Sequence, residues 1–309
     1  MPSNQNPLGA LPARFRRERL LVVGCGDVGL RVVRQLAGRV RVLALTSSPD
    51  RAPLLRQAGA VPLRGNLDQP DSLRRLAGLA TRVLHLAPPP GTGAGDPRTR
   101  ALTRALRLRS SASSWVYGST SGVYGDCQGQ WVSETRAASA TTARAQRRTD
   151  AEAALRFHGR SVVTQGPVRV SILRIPGIYA PDRAGGTPRE RLTRGAPVLV
   201  AADDVFTNHI HADDLARACM AALWRGRPQR IYNANDSSDL KMGDYFDLAA
   251  DVYGLPRPPR ITRAEATVQL PPMQLSFMSE SRRMDNTRLR RELRLRLRYP
   301  TVATGLLGG

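Results

Sequence analysis

Arg19-Leu-Leu-Val-Val-Gly-Cys-Gly-Asp-Val-Gly29 joins a short apolar run to Gly24-x-Gly26-x-x-Gly29, and apolar Val28, Leu30, Val32, Val33 and Leu36 follow at helical spacing. A fully apolar run of this length reads as a buried strand, and the amphipathic stretch after it as a helix. In that strand–turn–helix setting each glycine has its own duty. Gly24 permits the tight turn, Gly26 lets backbone N–H groups approach a pyrophosphate, and Gly29 lets the helix pack closely on the strand. The phosphates then rest on a helix N-terminus, whose free N–H groups favour anions. Gly24, Cys25, Gly26, Asp27, Val28 and Gly29 therefore predict a dinucleotide site; an ordinary strand-to-helix turn is the plainer alternative.

Outward from this stretch, apolar runs recur at Leu20–Val23, Val40–Leu45, Val61–Leu63, Val83–Leu86, Ser114–Tyr117 and Val168–Leu173, separated by segments of helical character. The alternation predicts an α/β fold, a doubly wound parallel sheet of the Rossmann type covered on both faces. A helix over Asp213–Leu223 and a strand at Arg230–Asn233 extend it. Pro and Gly thicken between Ile175 and Leu199 and again beyond Ala249, which predicts a smaller C-terminal substrate lobe at the sheet's carboxyl edge, where ligands of open α/β sheets bind. The expected division is a loose tail over residues 1–17, a dinucleotide-binding domain over 18–175 to which 208–236 returns, and a lobe made of 176–207 and 237–309.

The chain has 309 residues, 41% of them hydrophobic, enough for a sizeable core. Its formal charge of +22 invites a nucleic-acid partner, since clustered cations displace counterions from a phosphate backbone. Yet Lys241 is the single lysine, and arginines run from Arg14 to Arg298. An arginine-only excess over the whole length reads as a coding bias on a solvated surface, and no nucleic-acid recognition motif accompanies it. The densest cluster, Arg288 to Arg298, is expected on a solvated helix and its extended continuation, with an anion-binding surface as the alternative. No apolar stretch is long enough to span a membrane and Met1 to Pro12 lacks a secretory segment, so the expected location is cytoplasmic. Cys25, Cys127 and Cys219 show neither disulfide nor metal-ligand spacing.

At the end of the second strand an NAD enzyme places an acid on the ribose 2′-hydroxyl. Here the segment is Leu45-Thr-Ser-Ser-Pro-Asp-Arg51. Small hydroxyls beside an arginine suit a 2′-phosphate, so Thr46, Ser47 and Arg51 favour NADP over NAD, unless Asp50 reaches back. Asn66-Leu67-Asp68 closes the third strand, with Asp68 either near the adenine or capping a helix that begins at Pro70 or Asp71.

The fifth strand runs into Tyr117-Gly-Ser-Thr-Ser-Gly-Val-Tyr-Gly-Asp126. With this segment, and with His85-Leu-Ala-Pro-Pro-Pro90, Leu173-Arg-Ile-Pro-Gly-Ile-Tyr-Ala-Pro181, Asn208-His-Ile-His-Ala-Asp-Asp214 and Tyr232-Asn-Ala-Asn-Asp236, the chain resembles the extended and atypical short-chain dehydrogenase/reductases, also called the NAD-dependent epimerase/dehydratase family. The likeness spans nearly everything from Arg19 to Leu306. It implies an oxidoreductase or epimerase acting on a small polar substrate, such as a nucleotide sugar, and allows a homodimer. It places Leu86, Ala87 and Pro88 along the cofactor and gives Thr120 the role of the Ser/Thr that hydrogen-bonds a substrate oxygen. Tyr124 is expected to wall the substrate pocket, or else to be a packed core tyrosine. Gly177 and Tyr179 are expected to face the cofactor cleft. His85, His209 and His211 read as packing residues, and Asp213 and Asp214 as acids at a helix start rather than metal ligands.

The catalytic pair of that family is a tyrosine followed four residues later by a lysine. Aligning on Glu152 puts Arg144 at the tyrosine position and Arg148 at the lysine position. Arg148 can donate to ribose hydroxyls. Arg144 stays protonated at neutral pH and cannot shuttle a proton, but it can hold an oxyanion, phosphate or carboxylate. Both would equally suit an exposed helix face. Two function classes follow. One is an NADP-dependent enzyme with altered acid–base residues, in which Thr120 polarises the substrate and water, Tyr179 or another residue supplies the proton. The other is a cofactor-binding regulator with little or no catalysis.

Overall fold

The computed structural model describes residues 18–109, 112–160 and 168–307; the tail expected over 1–17 lies outside them. Seven strands form one sheet: β1 (Arg19–Val23), β2 (Arg41–Thr46), β3 (Ala60–Arg64), β4 (Arg82–His85), β5 (Ser114–Thr120), β6 (Arg169–Ile175) and β7 (Arg230–Asn233). Their order is β7-β6-β5-β4-β1-β2-β3, and every neighbouring pair is parallel. The chain leaves β1 toward β2 and β3, then crosses back to β4 on the other side. This reversal opens a crevice at the carboxyl ends of β1 and β4, the position where open α/β sheets take ligands. The backbone closes there tightly, since Leu86 N and Ala87 N both donate to Val23 O, at 2.7 and 3.1 Å.

Strand residues alternate between two cores. Leu20 and Val22 face helix α1 (Asp27–Leu36) through Val28, Val32 and Val33, while Leu21 and Val23 face the opposite layer. Helices α2 (Ala52–Gln57), α3 (Pro97–Leu106) and α4 (Ala143–Arg160) follow in the chain, and α3 and α4 bury Leu102, Leu106, Ala151 and Leu155 in that second layer. Helix α5 (Ala212–Arg225) packs beside α1 through Leu215, Ala218, Cys219 and Ala222. A third core gathers Tyr179, Leu192, Val198, Val205, Ala266 and Leu306 around α6 (Met242–Tyr253). Short strands Gly177–Tyr179 and His209–His211 pair in parallel beside it.

All the strands expected from apolar runs are present, but β5 and β6 reach further, to Thr120 and Ile175. Their polar ends stay in register, Ser119 opposite Arg174 and Thr120 opposite Ile175. The extension is supported by Glu152 on α4, which accepts from Ser119 Oγ at 2.5 Å and from Arg174 at 2.8 and 3.2 Å. The arginine cluster differs from its expected solvated state at one position. Arg288 is half-buried, 3.5 Å from Glu134 and donating to Ile231 O. No helix among the described residues is long and apolar enough to cross a membrane.

Candidate active site

The glycine turn is shaped by what surrounds it. Gly24 has φ +84°, and a Cβ there would sit 2.2 Å from Ala87 N, so only glycine fits between β1 and the end of β4. A Cβ on Gly29 would meet Gly24 O at 3.2 Å, the close helix–strand approach expected of it. At Gly26 a Cβ would meet nothing within 4 Å. Gly26 is the N-cap of α1 and opens onto two cavities, one on each side of the turn.

The first cavity, about 430 Å³, runs past the ends of β2 and β3 and is lined by Thr46, Ser47, Arg51, Asn66, Leu67, Asp68, Leu86, Ala87 and Pro88. Thr46, Ser47, Arg51, Asn66, Leu67 and Asp68 are those expected at the 2′-phosphate and adenine, and Leu86, Ala87 and Pro88 those expected along the cofactor. Asp50 is not on its wall. Arg51 Nη2 donates to Cys25 O at 2.6 Å, which holds its guanidinium at the turn. The Cys25 thiol, pushed up to about 11 by burial, stays protonated. Asp68 does not cap the turn at Pro70–Leu76, which has no side-chain cap. It is clasped instead by Arg98 at 2.7 and 2.6 Å, and this hydrogen-bonded pairing holds its carboxyl below the usual range. Arg98 also reaches Pro88 O at 3.1 Å, so it ties the loops after β3 and β4 together. Sequence reasoning missed it because no motif surrounds it.

The second cavity, about 510 Å³, brings together Thr120, Arg144 and Arg148 with Gly24, Gly26, Asp27, Val28 and Gly29. Thr120 Oγ1 accepts from Gly122 N at 3.3 Å, which fixes the hydroxyl at the end of β5. Arg148 is half-buried, donating to Gly118 O at 2.6 Å and to Tyr117 Oη at 3.1 Å. Arg144 is exposed at the mouth, its guanidinium 5.1 Å from the Phe277 ring centroid. Asp27 accepts from Arg31 at 3.1 Å and lies 3.5 Å from Arg183, another wall residue. Phe277, Glu280 and Arg282 arrive from the lobe, in a stretch that carries no motif. They also line a third cavity of about 420 Å³, shared with Ser121, Gly177 and Ile178. Glu280 is the one carboxylate that lines both of these cavities among the described residues. It pairs with Arg282 and accepts from Thr141 Oγ1 at 3.1 Å.

Tyr124 takes the second of its two expected readings, while Tyr179 differs from the role of proton donor. Tyr124 is a core residue: it is buried, its hydroxyl donates to Asn233 Oδ1 at 2.7 Å, and Arg174 lies 4.5 Å from its ring centroid. Tyr179 borders the third cavity but is not placed to deliver a proton. Its hydroxyl donates to Thr301 O at 3.2 Å, and burial first, then the Asp236 carboxylate, pushes the phenol upward. His85 is buried and neutral, driven down to about 3 by burial, with Nε2 2.9 Å from Thr99 Oγ1. His211 Nδ1 accepts from Asp213 N at the start of α5. Asp213 binds Arg31 at 2.5 Å, and Asp214 accepts from Arg298 N and Tyr299 N.

No curated protein matches the chain. Among solved structures, a conserved protein of unknown function from Silicibacter pomeroyi is 30% identical over 94% of this chain and 97% of its own, with a TM-score of 0.78. MoeE5, in complex with UDP-glucose and NAD, is 21% identical over 93% of this chain and 96% of its own, at a TM-score of 0.71. UDP-glucose 4-epimerase from Thermotoga maritima, solved with UDP-glucose, is 17% identical over 94% and 96%, at 0.75. Residues 20–234 match the NAD-dependent epimerase/dehydratase family, to which this chain belongs.

Proposed function

We propose that the protein is an NADP(H)-dependent oxidoreductase or epimerase-like enzyme for a small polar substrate, working without the usual tyrosine–lysine pair. The observation that carries this reading is that Thr120, Arg144 and Arg148 share one cavity with the glycine turn. The turn fits a dinucleotide, because the space beyond Gly26 is empty of protein while Gly24 and Gly29 are packed against backbone. Bound there, the nicotinamide would supply or accept a hydride. Residues 18–175 with 208–236 would then hold the cofactor, and 176–207 with 237–309 the substrate. Three unpaired buried cysteines suit a cytoplasmic setting.

The chemistry falls to this chain's own groups. Thr120 would hydrogen-bond the substrate oxygen, Arg144 would stabilise negative charge developing on it, and Arg148 would hold the nicotinamide ribose. Glu280, which lines both cavities, would exchange the proton in place of Tyr179. MoeE5 and the Thermotoga epimerase carry UDP-glucose in their structures, so nucleotide sugars belong in any substrate screen. Arg144→Ala should lower turnover about 100-fold, followed as NADPH consumption or formation across a panel of polar carbonyls and alcohols. Unchanged turnover would return Arg144 to the surface.

The coenzyme preference rests on Thr46, Ser47 and Arg51 lining the cavity while Asp50, the carboxylate of the same loop, does not line it. Arg51→Ala should weaken NADPH about 10-fold and NADH less than about 2-fold, the signature of one charge-assisted contact to the 2′-phosphate. Equal losses in fluorescence titration would contradict that assignment. The second reading, a cofactor-binding regulator, is favoured by the arginines at both positions of the missing pair. It would be upheld by NADPH binding with no turnover across the panel.

A further inference from the structure

The lobe cavity is walled by Ile178, Met242, Tyr245, Phe246 and Phe277, and Arg191 is set among them. The guanidinium lies 4.5 Å from the Phe246 ring centroid. Its Nε and Nη2 are buried without a hydrogen-bond partner. Burial, and secondarily Arg194, disfavour its charged form, with no carboxylate acting against them. Arg191 is half-buried, and two guanidinium nitrogens taken out of water and left unpaired are costly. Two neighbours on the same wall share the defect, since Thr207 Oγ1 and His209 Nδ1 are also buried without partners. The His209 ring is neutral, held down to about 4 by burial.

The other charges on this wall cancel. Arg282 pairs with Glu280 and donates to Gly125 O at 3.2 Å, and Glu280 is the one carboxylate lining the cavity among the described residues. One positive charge, that of Arg191, is left over. Phe277, Glu280 and Arg282 then connect this cavity to the one that holds Thr120 and Arg144.

We infer that the lobe cavity binds the substrate by a single oxyanion head, a phosphate monoester or a carboxylate, on Arg191 with Thr207 beside it. The rest of the molecule reaches past Phe277 toward Thr120. The inference rests on reading the cleft as a joint cofactor and substrate site. It selects against nucleotide diphosphate sugars, because a diphosphate would bring a second charged group to one guanidinium and set it near the Glu280 carboxylate.

Calorimetry and thermal shift on the full-length chain, with and without NADPH, test this with four probes: inorganic phosphate, glucose 1-phosphate, gluconate and UDP-glucose. Glucose 1-phosphate or gluconate should bind at least about 10-fold more tightly than UDP-glucose, and whichever binds better tells phosphate from carboxylate. Arg191→Met should weaken that probe roughly 30-fold, and Arg191→Lys should recover part of the loss. Without any anion, Arg191→Met should melt no lower than wild type, because two buried, unpartnered N–H donors are gone. A lower melting temperature would assign Arg191 to structure and overturn the inference. So would tighter binding of UDP-glucose, or a phosphate response identical in wild type and variant. NADPH affinity should be the same in both proteins; a wild-type chain that binds an anion through Arg191 but no NADPH would sink the cofactor reading alone.

Discussion

Replacing Gly26 with leucine should weaken NADPH binding at least about 100-fold while changing stability by no more than about 1 kcal/mol, the scale of a helix N-cap substitution. The backbone at Gly26 has φ −79°, which other residues adopt, and its Cβ direction is open. The leucine side chain would fill the passage between the 430 and 510 Å³ cavities that Gly26 joins, and a pyrophosphate has to cross there to reach both. Gly24→Ala should behave differently. Positive φ and a 2.2 Å approach to Ala87 N make that position intolerant, so the alanine variant should lose folded protein before it loses affinity. Measuring Kd and melting temperature on both variants separates a ligand glycine from a fold glycine. A Gly26→Leu protein that binds NADPH like wild type would remove the dinucleotide from this turn.

The largest expected effect on stability lies one layer behind the site. Arg174 and Glu152 are both buried and doubly hydrogen-bonded, and Ser119 completes the carboxylate. Arg174→Met would leave that carboxylate out of water with only the Ser119 hydroxyl to meet it. Breaking a buried pair from one side typically costs about 3–5 kcal/mol, a fall of roughly 6–15 °C in melting temperature for a chain of this size. The double variant Arg174→Met, Glu152→Leu should recover much of the loss, since removing both partners leaves no unpaired charge. Thermal denaturation of the single and double variants checks this, and a single variant as stable as wild type would show that the pair contributes nothing. The consequence reaches function because Ser119 adjoins Thr120 at the strand end. A loosened Glu152 should blur the position of the hydroxyl proposed to meet the substrate.

The sheet was legible because its central strands are apolar runs buried on both faces, and the glycine turn because its three positions answer to three steric demands. Arg144 and Arg148 come to one cavity because residues four apart on α4 share a helix face. The lobe side was harder to read. Arg183, Arg191, Phe277, Glu280 and Arg282 come from segments without periodicity, and only tertiary packing brings them to the cleft. The tyrosines show the complementary limit. The Ser119–Gly125 and Leu173–Pro181 motifs mark proximity to the cleft, but not where a side chain turns. Tyr124 turns back to Asn233, and Tyr179 is held by Thr301, a residue more than a hundred positions further along the chain.

Titration of the full-length wild-type protein with NADPH and with NADH tests the central claim most directly. NADPH should bind about 10-fold more tightly than NADH, as expected for a strand end that lines the cavity with small hydroxyls and Arg51 and keeps Asp50 off its wall. Equal affinities, tighter NADH, or no binding of either would contradict it.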